Sequence, residues 1–286
     1  MPRITIGVPV YNGASLLRDC LQNLAAQDFA DFQVIVSDNA STDATAGICA
    51  EVAAADPRFR VITQPETCSA MENFLRVRRA ADSPLFAWRA FDDLSTPNFL
   101  SALVALHDAR PGLALAVPAV VQEFGGARPD RRLRYRPPPS GPRALALLAQ
   151  TRRMEAGWFY GLWSTAAAAR ATDEVHALFP DAWGADFLAL LHAALNGGIA
   201  GTDACAFRQR VIATVRDYVD RPKPTYREMT DRNRRFAAAC RGLIDAADLA
   251  PAEAAVLRAA VPLFVRRRSH RPLRVFQAGV RALRGR

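Results

Sequence analysis

What most constrains this chain is the regular alternation of strand-like and helix-like segments over residues 1–124. "RITIGVPVY" is an apolar, β-branched run, "GASLLRDCLQNLAAQD" repeats apolar residues at helical spacing, and "DFQVIVSDNAS" is a second strand ending in polar residues. The pattern goes on as helix "TDATAGICAEVAAAD", strand "RFRVITQP", helix "CSAMENFLRVRRAA", strand "SPLFAWRAF", helix "TPNFLSALVALHDA" and strand "GLALAVPAVVQEF". Strands apolar on both faces need cover on both, and an intervening helix makes successive strands parallel. The fold class expected is therefore α/β, a mostly parallel sheet with helices on both faces. Ligands of such sheets bind beyond the carboxyl ends of the strands.

Residues 125–143, "GGARPDRRLRYRPPPSGPR", break the alternation and read as a Pro/Arg-rich linker or loop. In residues 144–220, "RALALLAQT", "YGLWSTAAAARA" and "ADFLALLHAALNGG" are helix-like and "TDACAFRQRVIATV" strand-like. Residues 221–286 are expected to be a helical, basic C-terminal extension. With 286 residues, half of them apolar, the chain can bury a large core. No stretch reaches the uninterrupted apolar length of a membrane span, and "MPRITIGVPV" runs straight into a strand, so a cytoplasmic protein is expected. The five cysteines have neither C-x-x-C spacing nor a histidine cluster, which argues against zinc or a disulfide framework.

The net charge of +9 gathers at the end, where "RRRSHRPLRVFQAGVRALRGR" contains no acid. After Pro272, Leu273, Phe276, Val280 and Leu283 recur at helical spacing, with Arg274 and Arg281 off that stripe. Two readings stay open: a basic amphipathic helix on the anionic inner face of the plasma membrane, or a helix packed on the body with a solvated basic face. No nucleic-acid motif is present, and no nucleic-acid partner is expected.

Polar groups follow three of the strands: Pro9, Val10, Tyr11 and Asn12 after the first; Ser37 to Asp43 after the second; Asp92 and Asp93 after the fourth. A parallel sheet brings these to one edge. An aromatic that stacks on a base, a carboxylate that accepts from a base N–H and a carboxylate pair for a cation suit a nucleoside diphosphate. No glycine-rich phosphate cradle of the usual kinds is present, which favours a metal for neutralising the diphosphate. Asp92 and Asp93 also read as a solvated turn, with Ser95 or Thr96 capping the next helix before Pro97.

"VPVYNGASLLRDCLQNLAAQDFADFQVIVSDNASTDAT" resembles the opening of the family 2 glycosyltransferases, inverting enzymes with the GT-A fold, of which the bacterial polysaccharide and glycan type is the nearest in pattern. The likeness runs from Ile4 to Leu100. It continues more weakly through "YGLWSTAAAARATDEVHALFPDAWGADFLALLHAALNGG", making that region the acceptor side of one catalytic domain. The resemblance implies a nucleoside-diphosphate sugar donor, a glycan or lipid-linked acceptor and Mg2+ or Mn2+. By it Pro9, Tyr11, Asn12, Asp38, Asn73 and Asp93 belong to the donor site, Asp92 ligates the metal, and Asp186 is the base. Tyr160 and Trp183 are acceptor-side candidates, as aromatics that stack on sugar rings.

This chain departs from the family pattern at three positions. Ala90 takes the place of the first aspartate of an Asp-x-Asp-Asp motif, Phe91 that of a histidine in a His-Asp-Asp subgroup, and Arg210 that of the histidine in a later Arg-x-His. Arg210 can replace a charge but not a metal ligand. Inverting transfer needs a base opposite the leaving diphosphate. Asp186 precedes an apolar helix and so also reads as a helix cap; Asp181, Glu155, His176 and His192 are poorer candidates for the base, and Trp158 and Trp163 read as core or rim. Two rivals stand beside the transferase: a non-catalytic nucleotide-sugar binder with a degenerate metal motif, and a sugar nucleotidyltransferase, which would carry an N-terminal glycine- and arginine-rich loop that this chain lacks.

Overall fold

The protein is described by a computed structural model for residues 1–126, 128–211 and 224–268. Four apolar runs form parallel strands in the order β3-β2-β1-β4: β1 Ile4–Val10, β2 Phe32–Asp38, β3 Phe59–Thr63 and β4 Leu85–Trp88. They are joined by helices α1 Ala14–Ala25, α2 Thr45–Ala55 and α3 Ala70–Arg79. Every residue of β1 is buried, as expected of a central strand with helices on both faces.

Next in the chain come β5 Leu94–Ser95, α4 Phe99–Ala109, β6 Leu115–Glu123, β7 Arg131–Leu133, α5 Arg143–Arg153 and a 3-10 turn, Ala156–Tyr160. β8 Leu162–Ser164, α6 Thr165–Leu178, α7 Ala185–Leu195 and β9 Ile199–Arg210 follow, then α8 Tyr226–Ala246 and α9 Pro251–Arg268. The sheet continues β4-β8-β6-β9-β5, with β7 on β6. β8 is antiparallel to both β4 and β6, so those two run alike, and β9 is parallel to β6. Among the described strands only the short β5, β7 and β8 oppose the rest, and the sheet is mostly parallel.

Three local expectations are corrected. "YGLWSTAAAARA" is not helical throughout, because Leu162 and Trp163 are fully buried between β4 and β6 and take the extended form that pairs with both. Helix α6 begins only after Ser164, whose side chain accepts from the N–H of Ala167. The Pro/Arg-rich segment contains β7, and beyond it Tyr135 lies over Gly201 so closely that a Cβ there would be 2.4 Å from the ring. Ser95 and Thr96 do not cap α4: Ser95 pairs with β9 in β5, and the capping position is Asn98.

Pro9 lies inside a central strand, where a missing N–H ordinarily breaks a ladder. Alternation explains it. Gly7 accepts from the N–H of Arg89 on the β4 side, so Pro9, two residues on, also faces β4, which has ended at Trp88. Val10 faces β2 and accepts from the N–H of Asn39. The proline thus occupies the point where β1 and β4 part, and that parting opens the sheet edge.

One hydrophobic core runs from the strands into the C-terminal helices through Phe236, Leu243 and Phe264. Among the described residues no helix is long and apolar enough to cross a membrane. The amphipathic stripe of Leu273, Phe276, Val280 and Leu283 lies outside the described residues.

Candidate active site

The ends of β1 and β2 are held by a network of side chains bonded to main chain. Asn12, with φ 48°, donates its N–H to Ser41 Oγ at 2.9 Å and accepts from the N–H of Thr42 at 2.8 Å. Asp38 accepts from the N–H of Ser41 at 3.1 Å, across Ala40, whose φ of 56° costs a non-glycine residue roughly 1–2 kcal/mol. Such strain persists where surrounding bonds impose it, commonly at ligand sites. Tyr11 is 44% exposed at the mouth, whereas Pro9 and Asp38 are buried. Asn73 is buried too: it accepts from Ser37 Oγ at 2.6 Å and donates to the carbonyl of Ser37 at 3.1 Å. These bonds make Asn73 an anchor between α3 and the end of β2, with its amide committed inside the protein.

Asp92 and Asp93 follow β4 in a tight turn, in which the N–H of Asp93 donates to the carbonyl of Ala90. Asp93 is buried and accepts from the main-chain N–H of Arg210 at 2.8 Å. The Arg210 guanidinium donates to the carbonyl of Asp92 and pairs with Asp19 of α1 at 3.2 Å. Burial, and secondarily the neighbouring Asp92, push the Asp93 carboxyl up to about 7; burial also raises Asp92. Beneath the pair lies Arg89, buried against the rings of Phe99 at 4.9 Å and Phe207 at 5.3 Å and donating to Ser95 Oγ at 3.0 Å. Its Nε and Nη1 find no hydrogen-bond partner among the described residues, and its charge acts on Asp93 from a buried position between the two rings.

The turn is joined to the β1 edge: a Cβ on Gly13 would be 2.6 Å from Val10 and 2.7 Å from Phe91. Among the described residues no three His, Cys, Asp or Glu side chains cluster as a metal cage. With one oxygen of Asp93 engaged by Arg210, Asp92 is the carboxylate of the pair that would meet a cation if one binds. That donor set fits Mg2+ or Mn2+ completed by substrate phosphates and water rather than by protein alone.

Asp186, Tyr160 and Trp183 come together in one cavity of about 400 Å³. Asp186 is in the first turn of α7, behind Gly184, which occupies the capping position at φ 87°. The capping position itself is therefore Gly184 and not Asp186, although the Asp186 carboxylate still accepts from main-chain N–H groups of the first turn; Asp186 lines the cavity, and burial raises its carboxyl to about 6. Trp88, at the end of β4 four residues before Asp92, and Gln209, next to Arg210 in the chain, line the same cavity, whereas Asp92 and Asp93 are not among its lining residues. Of the poorer candidates, Asp181 is paired with Arg232 at 2.8 Å, and His192 is buried with Nε2 3.1 Å from Glu174. His176 lines the cavity, while Trp158 and Trp163 are core.

A family model described as Glycosyl transferase family 2 matches residues 5–168. The chain belongs to this family. Within it the chain is 39% identical over 62 residues to Glycosyltransferase GlyA of Streptococcus pneumoniae, covering 22% of this chain and 9% of that protein. It is 32% identical over 115 residues to Validoxylamine A glucosyltransferase of Streptomyces hygroscopicus, covering 37% of this chain and 26% of the relative. The shared stretch is thus well under two thirds of either relative's length.

The fold is also that of S. aureus TarS 1-349 in complex with UDP-GlcNAc, at TM-score 0.72 and 18% identity over 93% of this chain and 73% of the other. Mannosyltransferase PcManGT from Pyrobaculum calidifontis, in complex with GDP-Man and Mn2+, gives TM-score 0.55 and 19% identity over 99% and 80%. The family 2 chain therefore has the GT-A-type architecture.

Two residues of the site escaped sequence reading. Arg89 had a visible signal, a lone charge within the apolar run "LFAWRAF". Arg268 had none: it ends α9, lines the cavity of Asp186, stacks on Phe187 at 4.8 Å and donates to the carbonyl of Arg152 at 3.0 Å. Its distance along the chain from Asp186 leaves no local pattern to read.

Proposed function

We propose that this family 2 protein is an inverting, metal-dependent glycosyltransferase, moving a sugar from a nucleoside diphosphate to a glycan or lipid-linked acceptor in cell-surface polysaccharide synthesis. The observation that carries this reading is the placement of Asp186 in a cavity whose lining includes Trp88, four residues before Asp92, and Gln209, the chain neighbour of Arg210. On this reading Asp186 is the general base and the donor's anomeric carbon lies on the Trp88 and Gln209 side of the cavity. The Tyr11, Asn12 and Asp38 edge receives the nucleotide, with Pro9 and Asn73 shaping it from beneath and Asp93 supporting the turn. Asp92 would hold Mg2+ or Mn2+ against the diphosphate, where the ion supplies charge neutralisation for the leaving group.

Asp186 takes the proton of an acceptor hydroxyl. The oxygen then bonds to the anomeric carbon on the face opposite the diphosphate, and the bond from that carbon to the diphosphate oxygen breaks with the electron pair leaving on the nucleotide. Trp88, Phe159 and Phe187 wall the reaction from water, and Tyr160 and Trp183 offer ring faces to the acceptor. The basic tail after Arg268 would bring the protein to the anionic inner membrane face, where lipid-linked acceptors are found.

The engagement of Asp93 by Arg210, together with Ala90 and Phe91 at motif positions, favours one second reading, a nucleotide-sugar binder without turnover. Calorimetric titration of a panel of nucleoside diphosphates, with and without Mn2+, against wild type and Asp92→Asn separates the readings. Binding of one diphosphate that Mn2+ strengthens and Asp92→Asn weakens supports the transferase. Binding indifferent to both turns the balance to the binder, and no binding at all removes the nucleotide site.

A further inference from the structure

One wall of the Asp186 cavity is apolar throughout. Helix α3 contributes only apolar groups, Ala70, Met71, Phe74 and Leu75, and Val175 and Phe179 face them from the end of α6. The polar groups are Thr172 and His176 of α6, Tyr160, Asp186 of α7, Gln209 of β9 and Arg268 of α9, and the Thr172 hydroxyl already donates to the carbonyl of Ala168 at 2.8 Å. At about 400 Å³ the cavity far exceeds the voids of a close-packed interior, and an apolar space left open sacrifices the contacts its lining would otherwise make. It has the size and composition of a small-molecule site.

A bare sugar suits only part of it. Every ring hydroxyl withdrawn from water needs a hydrogen-bond partner, and the α3 wall supplies none. We infer that the α3 side of this cavity seats an apolar group borne by the acceptor, an alkyl or aryl aglycone, while the hydroxyl to be glycosylated is presented at Asp186. The inference rests on the transferase reading for the word acceptor; the binding preference itself does not. It names a selectivity: among acceptors with the same ring, those carrying an apolar substituent are held in preference to free sugars.

The test compares methyl and octyl β-D-glucopyranoside, the latter kept below its micelle concentration, on the full chain, with tryptophan fluorescence as readout because Trp88 and Trp183 line the cavity. The common ring cancels an ill-suited sugar, which weakens both ligands alike. Octyl glucoside is expected to bind at least about tenfold tighter than the methyl compound, since the extra methylenes leave water. Met71→Gln, which places an amide on the apolar wall, and Ala182→Trp, which fills the space from an exposed position, should each cut that advantage to below about threefold. Nucleoside diphosphate affinity should stay unchanged in both variants. Equal affinity for the two glucosides, or an advantage that survives both variants, overturns the apolar seat while leaving the transferase standing. Failure of wild type to bind any diphosphate overturns the transferase instead, and the glucoside pair still reports on the cavity.

Discussion

Arg210 donates its main-chain N–H to the Asp93 carboxylate at 2.8 Å while its guanidinium reaches the carbonyl oxygen of Asp92. One residue at the end of β9 thus ties down the whole Asp-Asp turn from a different part of the sheet. Its further bonds, to Asp19 and to the carbonyl of Leu16, extend the tie to α1. The ion pair with the exposed Asp19 adds little to stability, so the turn itself is where the tie acts.

Arg210→Ala should therefore loosen the turn, costing about 1–3 kcal/mol in urea unfolding and weakening diphosphate binding. Arg210→Lys keeps a charge but loses the fork that reaches Asp92 and Asp19 together, and should recover only part of either loss. Binding and stability that both equal wild type in Arg210→Ala would show that the turn holds without its tie.

Asp186→Asn should lower sugar transfer by roughly a hundred- to ten-thousand-fold while leaving diphosphate affinity and folding intact, because the amide keeps the size of the group and removes its proton affinity. Steady-state transfer assays beside calorimetry check this. A small effect on transfer would move the base elsewhere in the cavity.

The pH dependence of transfer follows from the burial of Asp186. Its carboxyl is raised to about 6, and only the ionised form accepts a proton, so the rate should be low in acid, rise through pH about 6 and level off above it. Arg268 draws this value down, so Arg268→Gln should move the acid limb to higher pH. A pH–rate profile of the two proteins reads the displacement directly; identical limbs would separate Arg268 from the base.

Gly13→Ala should cost about 1–3 kcal/mol, because the added Cβ would meet Val10 at 2.6 Å and Phe91 at 2.7 Å and the side chains must shift to admit it. Since Phe91 leads into Asp92, the same shift should weaken metal-assisted diphosphate binding. Chemical unfolding and calorimetry together distinguish this from a purely local strain.

The strand–helix alternation, the sheet edge bearing Tyr11, Asn12, Asp38 and Asp92, and the placing of Asp186 at the head of an apolar helix were legible in the amino-acid sequence. Each depends on contiguous residues whose apolar spacing or chain order sets their place. Tertiary structure decided what contiguous pattern does not encode. Leu162 and Trp163 are extended because β4 and β6 stand on either side, and Asn73 points inward because it accepts from the Ser37 hydroxyl and donates to the Ser37 carbonyl. Arg210 clamps the Asp-Asp turn, and Arg268 enters the cavity of Asp186, because packing brings together side chains remote in sequence. Local composition sets which segments are buried and in what form, but the direction of a side chain and its partner across the fold are fixed only when the core closes.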